Sequence, residues 1–232
     1  MFTKSARFYD ALYAWKDYGG EVERLRALIE DRGAGARTLL DVACGTGKHL
    51  ELLAAHYEVE GLDVDERMLG IARERLAAIP LHRGSFVDFD LGRTFDVVTC
   101  LFSSIAYAGD REHLSRAVGT MARHVGSGGL LIVEPFFTPE AFEPGNPWAI
   151  FVDRPDLKIA RMDVPTVEGR LARVQFHYLV ATPEGVTHFT EPHVLGLFTV
   201  EEHLEAFRAA GLEVEHDPEG LMGRGLFVGR RP

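Results

Sequence analysis

The sequence predicts an α/β fold: a doubly wound, mostly parallel seven-stranded sheet with an antiparallel β insertion after its fifth strand. Three observations support this fold class. Short apolar segments alternate with amphipathic segments through the first 135 residues, as strands and crossover helices do. One apolar strand, at Leu39–Cys44, runs directly into a glycine turn. After Pro135 the pattern changes to the alternation that is typical of antiparallel hairpins.

The first half of the chain contains five predicted strands with helices between them. The segment FDVVTCL is almost wholly apolar, which predicts a central strand that is covered on both faces. Pro80 ends one helix, and Gly126, Gly128 and Gly129 predict a turn-rich loop after another. The expected helices are 22–29, 49–56, 66–78 and 111–124, and the expected strands are 38–44, 59–63, 81–86, 95–101 and 130–134.

The second half begins with a change of character. Prolines and aromatics over 136–156 predict an irregular loop or lid, and 158–197 predicts hairpins with a turn at Pro183–Gly185. Thr199 and Glu202 form a capping-box pattern at the start of a helix over 199–210. The last strands are expected at 212–215 and 226–230. We therefore expect a core of residues 1–137 and 198–232, with 138–197 inserted as a substrate-facing subdomain.

The composition argues against several classes of function. Lys and Arg total 25 against 35 Asp and Glu, a net charge of −10, so no nucleic acid partner is expected. No apolar run approaches the ~18 residues of a spanning helix, so no membrane partner is expected. The first residues show no secretory or transit pattern, which predicts a cytoplasmic location. The 2 cysteines form no metal motif, and we expect no metal. A homodimer is possible because dimers are the commonest oligomers.

The segment 39–49, LLDVACGTGKH, is the most informative part of the sequence. Gly45 and Gly47 allow a bound molecule to approach the backbone, and the following helix offers unpaired amides to an anionic group. A dinucleotide fingerprint that starts at Gly45 needs Gly or Ala where this chain has Leu50. A P-loop needs Ser or Thr where it has His49. The loop therefore predicts a cofactor of another kind.

Two carboxylates refine that prediction. Asp41 lies on the strand before the glycine loop, where it can accept hydrogen bonds from an ammonium group. Asp63 ends the next strand, the position from which a carboxylate binds ribose hydroxyls. A ligand with an amino-acid part and a nucleoside part fits both residues.

The motif DVACGTG at 41–47, followed by GLDVD at 61–65, resembles motifs I and II of class I S-adenosylmethionine (SAM) dependent methyltransferases, which have a Rossmann-like fold. The resemblance implies that SAM is the cofactor, that S-adenosylhomocysteine is the product and that no metal is needed. It departs from the family at Ser85, where an Asp is common, so Asp88 or backbone amides are expected to contact adenine. The implied cofactor contacts are Asp41, Ala43, Cys44, Gly45, Gly47, His49, Asp63, Val64, Met68, Phe86 and Leu101.

A narrower resemblance comes from four further segments: FYDALY at 8–13, CLFSSI at 100–105, VEPFF at 133–137 and GRGLFVG at 223–229. They are similar to the TDP-amino-sugar N,N-dimethyltransferases of macrolide deoxysugar pathways. The resemblance implies a small nucleotide-sugar substrate whose amine is methylated by in-line displacement. The implied substrate contacts are Tyr13, Ser103, Ser104, Tyr107, Glu134, Phe136, His177 and Arg224.

Methyl transfer needs alignment and a neutral amine rather than a nucleophile of the protein. Tyr13 and Tyr107 are therefore the candidate catalytic residues, as partners or proton relays of the amine, or else they are packing aromatics. Arg224, between two glycines, is placed to bind a diphosphate or is a solvated turn residue. Two other functions stay open: methylation of a different small acceptor, and SAM binding without catalysis.

Overall fold

The computed structural model describes residues 4–33 and 35–232; residues 1–3 and 34 of the predicted core lie outside that description. Its main sheet has seven strands in the order β11-β12-β5-β4-β1-β2-β3. All pairs from β3 to β5 are parallel, and β12 runs antiparallel to both β5 and β11. These strands are β1 Thr38–Val42, β2 Glu58–Asp63, β3 Leu81–Arg83, β4 Phe95–Cys100, β5 Val125–Val133, β11 Glu213–Asp217 and β12 Leu226–Arg230. The predicted doubly wound fold is confirmed.

Six α-helices accompany the sheets. They begin and end at α1 Tyr9–Leu12, α2 Tyr18–Arg32, α3 Lys48–Leu53, α4 Glu66–Arg75, α5 Arg111–Arg123 and α6 Val200–Ala209. A 3-10 turn at Ser104–Ala108 follows β4. The predicted capping box of α6 is present: Glu202 N–H donates to Thr199 Oγ1 at 3.2 Å, and Thr199 N–H donates to Glu202 Oε2 at 2.7 Å.

The central strands are buried on both faces, as their apolar sequences predict. Leu40 and Val98 are register partners in one apolar cluster, and Leu39 and Val97 are partners in the cluster on the other face. All four side chains are fully buried. This double burial fixes the register of β1 and β4, because a slip of one residue would exchange the two faces.

Two predicted boundaries, the start of β5 and the end of β3, were wrong. The glycines at 126–129 do not form a separate loop but lie within β5, where the register jumps from Phe95↔Val125 to Val97↔Leu130. A Cβ on Gly129 would come within 2.6 Å of the Asp96 carbonyl oxygen, which explains the glycine in this bulge. Strand β3 ends at Arg83 rather than Phe86, so Ser85 and Phe86 belong to the loop that follows it.

An antiparallel sheet follows β5, in the order β10-β9-β7-β6, with a short β8 beside β9. Its strands are β6 Trp148–Arg154, β7 Leu157–Asp163, β8 Thr166–Glu168, β9 Leu171–Thr182 and β10 Gly185–Gly196. The predicted hairpins are confirmed. The predicted irregular segment at 136–156 was wrong for its second half, because β6 pairs with β7 along its whole length.

The inner face of this five-stranded sheet packs against the N-terminal segment. Leu12 and Tyr13 share one buried apolar cluster with Ile159, Tyr178 and Val180. The inserted sheet therefore holds the N-terminal segment against the carboxyl edge of the main sheet. Among the described residues, no helix is both long enough and apolar enough to cross a membrane.

The capping box provides a test of how α6 is anchored. Replacing Thr199 by Ala removes the hydroxyl that accepts the Glu202 amide, so Thr199→Ala is expected to lower the free energy of unfolding by about 1 kcal/mol. Urea unfolding followed by circular dichroism measures this loss. Ser115→Ala, an exposed substitution inside α5, is the control and is expected to change stability by less than about 0.5 kcal/mol. Equal stability of the two variants would contradict the role of the cap.

Candidate active site

The carboxyl ends of β1, β2 and β4 border a cavity of about 310 Å³. A smaller cavity of about 30 Å³ adjoins it, and the two share Tyr9, Ala43, Gly45 and Ser104. The larger lobe lies beside Asp63, and the smaller lobe lies beside Asp41. A two-lobed cleft at this edge of a parallel sheet is the usual ligand site of an open α/β fold.

Backbone strain is concentrated at this edge. Within the described chain, only Ala43, Phe102 and Ser103 have positive φ without being glycine, and all three follow β1 or β4. Gly45 and Gly47 also have positive φ, at 58° and 76°. Residues in sparsely populated conformations tend to cluster at functional sites, where surrounding structure holds them.

Gly47 lines neither lobe, although Thr46 and Lys48 on either side of it line the smaller one, so its contact with a cofactor stays a prediction. A Cβ at this position would come within 2.6 Å of Leu76 Cδ1, so glycine is required by packing as well as by the positive φ. The other predicted cofactor contacts all line one lobe or both: Asp41, Ala43, Cys44, Gly45, His49, Asp63, Val64, Met68, Phe86 and Leu101.

Asp41 is a buried carboxylate in the smaller lobe. Its side chain is 2% exposed, and Thr99 Oγ1 donates a hydrogen bond to Oδ1 at 2.7 Å. Burial raises the pKa of Asp41 to about 6, although His49 nearby and the bond from Thr99 both favour the charged form. A cationic ligand group would supply the counter-charge that this carboxylate lacks.

Asp63 links the ends of β1 and β2. Its Oδ2 accepts the Gly45 amide at 2.8 Å, and its Oδ1 accepts the Asp65 amide at 2.8 Å. Burial raises the pKa of this carboxyl group as well, against the lowering effect of these bonds. The carboxylate faces the larger lobe and shapes the glycine loop at the same time.

The larger lobe continues along the loop after β3. Its wall is formed by the apolar side chains of Val64, Met68, Phe86 and Val87, and Ser85 lies among them. Asp88 is exposed and does not line it, so of the two alternatives for adenine recognition, the backbone around Ser85 is the better placed.

Two charged residues beneath the smaller lobe, Lys16 and Glu21, were missed by sequence reasoning. His49 Nε2 lies 2.8 Å from Glu21 Oε2, and the other Glu21 oxygen is paired with Lys16. The Lys16 ammonium also lies 4.6 Å from the centre of the Phe102 ring. Lys16 and Glu21 are far from the glycine loop in sequence, and neither belongs to a spaced motif that could have shown them.

Two tyrosines predicted as catalytic residues bind the inserted sheet. The Tyr107 hydroxyl lies 2.5 Å from His193 Nδ1, and Tyr107 lines the larger lobe together with Ser104. The Tyr13 hydroxyl accepts a hydrogen bond from Arg161 Nη1 at 2.9 Å. His193 and Arg161 are both buried and come from the alternating pattern of β10 and β7, which gave no sign of their role.

Arg224 and Ser103 form a second polar group next to the cleft. Arg224 Nη1 donates to Ser103 Oγ at 2.9 Å, and Ser103 Oγ donates to the Pro135 carbonyl at 2.7 Å. The Arg224 guanidinium lies 5.1 Å from the centre of the Phe137 ring. Phe136 packs edge-on against Phe137, with the two ring centres 5.0 Å apart.

Glu134 lies directly after β5 and is fully buried. Its Oε2 accepts the Phe102 amide at 2.6 Å, and its Oε1 has no hydrogen-bond partner among the described residues. Burial raises the pKa of this carboxyl group. Glu134 therefore holds the strained turn after β4.

His177 was expected to contact the substrate, and this expectation was wrong. It is exposed on β9, where neighbouring Tyr178 is buried, so its side chain lies on the outer face of the inserted sheet. There it stacks on His188, with ring centres 6.0 Å apart. Side chains alternate between the two faces of a strand, so a shift of one position in the sequence decides whether a histidine lies on the inner or the outer face of the sheet.

Known proteins share this architecture over its whole length. A methyltransferase-domain family model matches residues 39–129. The dTDP-3-amino-3,6-dideoxy-alpha-D-glucopyranose N,N-dimethyltransferase of Streptomyces fradiae is 44% identical over 228 residues, which are 97% of this chain and 89% of that protein. This chain belongs to the SAM-dependent amino-sugar N,N-dimethyltransferases.

Solved structures agree with the assignment of this chain to that family. The crystal structure of Streptomyces venezuelae DesVI has a TM-score of 0.94 and 41% identity, and the match covers 99% of each chain. SAM-bound CalS10 of Micromonospora echinaspora, an amino pentose methyltransferase involved in calicheamicin biosynthesis, has a TM-score of 0.89 and 39% identity, over 97% of this chain and 96% of its own.

The cleft of the methyltransferase fits SAM. Asp41 suits the ammonium group in the smaller lobe, Asp63 suits the ribose hydroxyls, and the apolar wall beside Met68 and Phe86 suits adenine. Among residues 4–33 and 35–232, no group of three His, Cys, Asp or Glu side chains could hold a metal ion.

The raised pKa of Asp41 provides a test of the smaller lobe. Because burial raises the folded pKa of Asp41 to about 6, above the usual range of an aspartate, the ionised carboxylate destabilises the free enzyme above pH 6, and this cost disappears as the pH falls through the pKa of the unfolded chain, about 4. Asp41→Asn is therefore expected to raise the free energy of unfolding at pH 8 while weakening SAM binding.

Urea unfolding at pH 8 and pH 4, together with titration calorimetry of SAM, measures both effects. Asp88→Asn removes an exposed carboxylate nearby and serves as the control, with no change expected in either measurement. A variant that binds SAM as tightly as the unmodified enzyme would show that Asp41 does not hold the ammonium group.

Proposed function

We propose that this enzyme transfers methyl groups from SAM to the amine of a TDP-linked amino sugar. The 44% identity with a dTDP-amino-sugar N,N-dimethyltransferase over 97% of the chain carries the proposal. Supporting it, Tyr107 lines the larger lobe and also contacts His193 of the inserted sheet, so this tyrosine lies between the proposed donor site and the subdomain that we expect to face the substrate.

When bound, SAM supplies an electrophilic methyl group on a sulfonium centre. The residues of the chain align the two reactants: Asp41 and Asp63 hold the donor, and Tyr13 and Tyr107 hold the acceptor molecule. The Tyr13 ring packs edge-on against Phe102, which lines the smaller lobe, with the ring centres 5.1 Å apart, and Tyr107 lines the larger lobe. Glu134, which accepts the Phe102 amide, is a buried carboxylate that favours the positive charge that develops on the nitrogen as the methyl group is transferred.

Arg224 is the proposed contact for the diphosphate. No carboxylate among the described residues lies within ion-pair distance of its guanidinium, while Ser103 and Phe137 hold it in place. A positioned guanidinium without a counter-ion is suited to two phosphate oxygens. In the same proposal, residues 138–197 form the substrate-facing subdomain.

The substrate is tested with purified enzyme, SAM and a panel of TDP-amino sugars that carry the amine at different ring positions. Mass spectrometry is expected to show products heavier by one and then two methyl groups, which separates monomethylation from dimethylation. Turnover of other small amines alone would favour a different acceptor. SAM binding with no turnover across the panel would favour a binding protein without catalysis.

Arg224→Ala is expected to weaken the binding of free TDP by about 1.5–3 kcal/mol, because a hydrogen-bonded charge is removed from the phosphate site. Titration calorimetry with TDP measures the loss, and SAM affinity is expected to stay unchanged. Arg230→Ala, which removes an exposed arginine at the end of β12, is the matched control. TDP affinity that is equal in both variants would remove Arg224 from the diphosphate site.

Three further properties stay predictions from the sequence: a homodimer, a cytoplasmic location and the absence of a nucleic acid partner. Light scattering from the purified enzyme measures the first. For a homodimer, the outer face of the inserted sheet is the surface to examine, since the apolar side chains of Phe151 and Leu179 are 67% and 51% exposed there.

A further inference from the structure

The two tyrosines at the acceptor side receive different hydrogen-bond partners from the inserted sheet. Arg161 has only donors, so Tyr13 must accept from it, and the Tyr13 O–H is left to donate elsewhere. The Tyr107 hydroxyl faces an imidazole nitrogen instead, at 2.5 Å. An imidazole nitrogen can donate or accept, so the direction of this bond is set by the state of His193.

His193 is buried, with 2% of its side chain exposed, and its ring packs 4.7 Å from that of Phe176. Burial lowers its pKa to about 4, so the ring is neutral near neutral pH. Between a phenol and a neutral imidazole, the phenol is the stronger acid. The favoured bond therefore runs from the Tyr107 O–H to the unprotonated Nδ1, with the ring proton on Nε2.

This direction matters for methylation of an amine. An amine attacks through its lone pair, so a hydroxyl that donates to that lone pair would block the reaction. A phenol whose hydrogen is held by His193 presents only lone pairs to the cleft. Those lone pairs can accept an amine N–H, and this bond strengthens as positive charge develops on the nitrogen.

We propose that His193 is a positioning residue that fixes the Tyr107 hydroxyl as a hydrogen-bond acceptor for the substrate amine. The inference rests on the proposed N-methylation and deepens it. It assigns opposite roles to the two phenols: Tyr107 accepts from the amine, and Tyr13 donates to an oxygen of the acceptor molecule.

The kinetic test uses His193→Phe, which keeps an aromatic ring against Phe176 but removes the acceptor. With a TDP-amino sugar that is turned over, kcat is expected to fall about tenfold, with SAM affinity and thermal midpoint unchanged. His193→Asn, whose side-chain oxygen can take the place of Nδ1, is expected to recover part of the loss. His188→Phe, the same change on the outer face of β10, is the matched control and is expected to leave kcat unchanged.

A double-mutant cycle separates positioning from general structural damage. Tyr107→Phe is expected to lose at least as much kcat as His193→Phe, and the double variant is expected to match Tyr107→Phe alone. Additive losses would overturn the proposal, because His193 would then act independently of Tyr107. An unchanged kcat in His193→Phe, or no recovery in His193→Asn, would also overturn it.

Nuclear magnetic resonance with labelled histidine nitrogens tests the same proposal without a substrate and in the unmodified enzyme. The His193 signals, assigned by their loss in His193→Asn, are expected to show an unprotonated Nδ1 and a protonated Nε2. A proton on Nδ1 would overturn the proposal. The expected tautomer without turnover of any TDP-amino sugar would instead count against the proposed substrate.

Discussion

The structure depends on one carboxylate that joins two neighbouring strands. Asp63, at the end of β2, accepts the Gly45 amide of the loop after β1 and the Asp65 amide of its own loop. These two bonds hold a glycine turn with positive φ against the edge of the sheet. Because the same carboxylate borders the larger lobe, the shape of the loop and the binding of the donor are coupled.

The N-terminal segment completes the donor site from the other side. Asp10 accepts a hydrogen bond from Thr46 Oγ1 at 2.7 Å and is paired with Arg75 of α4. Further along, Lys16 and Glu21 place a buried ion pair under His49. Buried pairs add little stability by themselves, but they fix geometry where both partners are fully hydrogen-bonded. The glycine loop is thus held between β2 and the N-terminal segment.

The inserted sheet adds polar side chains to an otherwise apolar interface. Arg161 and His193 lie on its inner face and bind the two tyrosines, while Arg224 reaches Ser103 from the turn before β12. Arg161 Nε and Asp163 Oδ1, also on β7, have no hydrogen-bond partner among the described residues. Buried polar atoms without partners are costly, so this part of the inserted sheet is less stable than a fully hydrogen-bonded one.

The sequence by itself determined the parallel strands of the first half, the glycine loop, the Asp41 and Asp63 pair and the capping box at Thr199. These features depend on local chemistry: runs of apolar residues, glycines that can adopt positive φ, and short spacings between residues that can be read directly from the sequence. Only the tertiary structure decided that His193 rather than His177 lies on the inner face of the inserted sheet, where it contacts Tyr107, and that Lys16, Glu21 and Arg161 lie next to the predicted site residues. The physical reason is that strand register and long-range packing bring these residues together, and neither leaves a spacing that the chain itself displays.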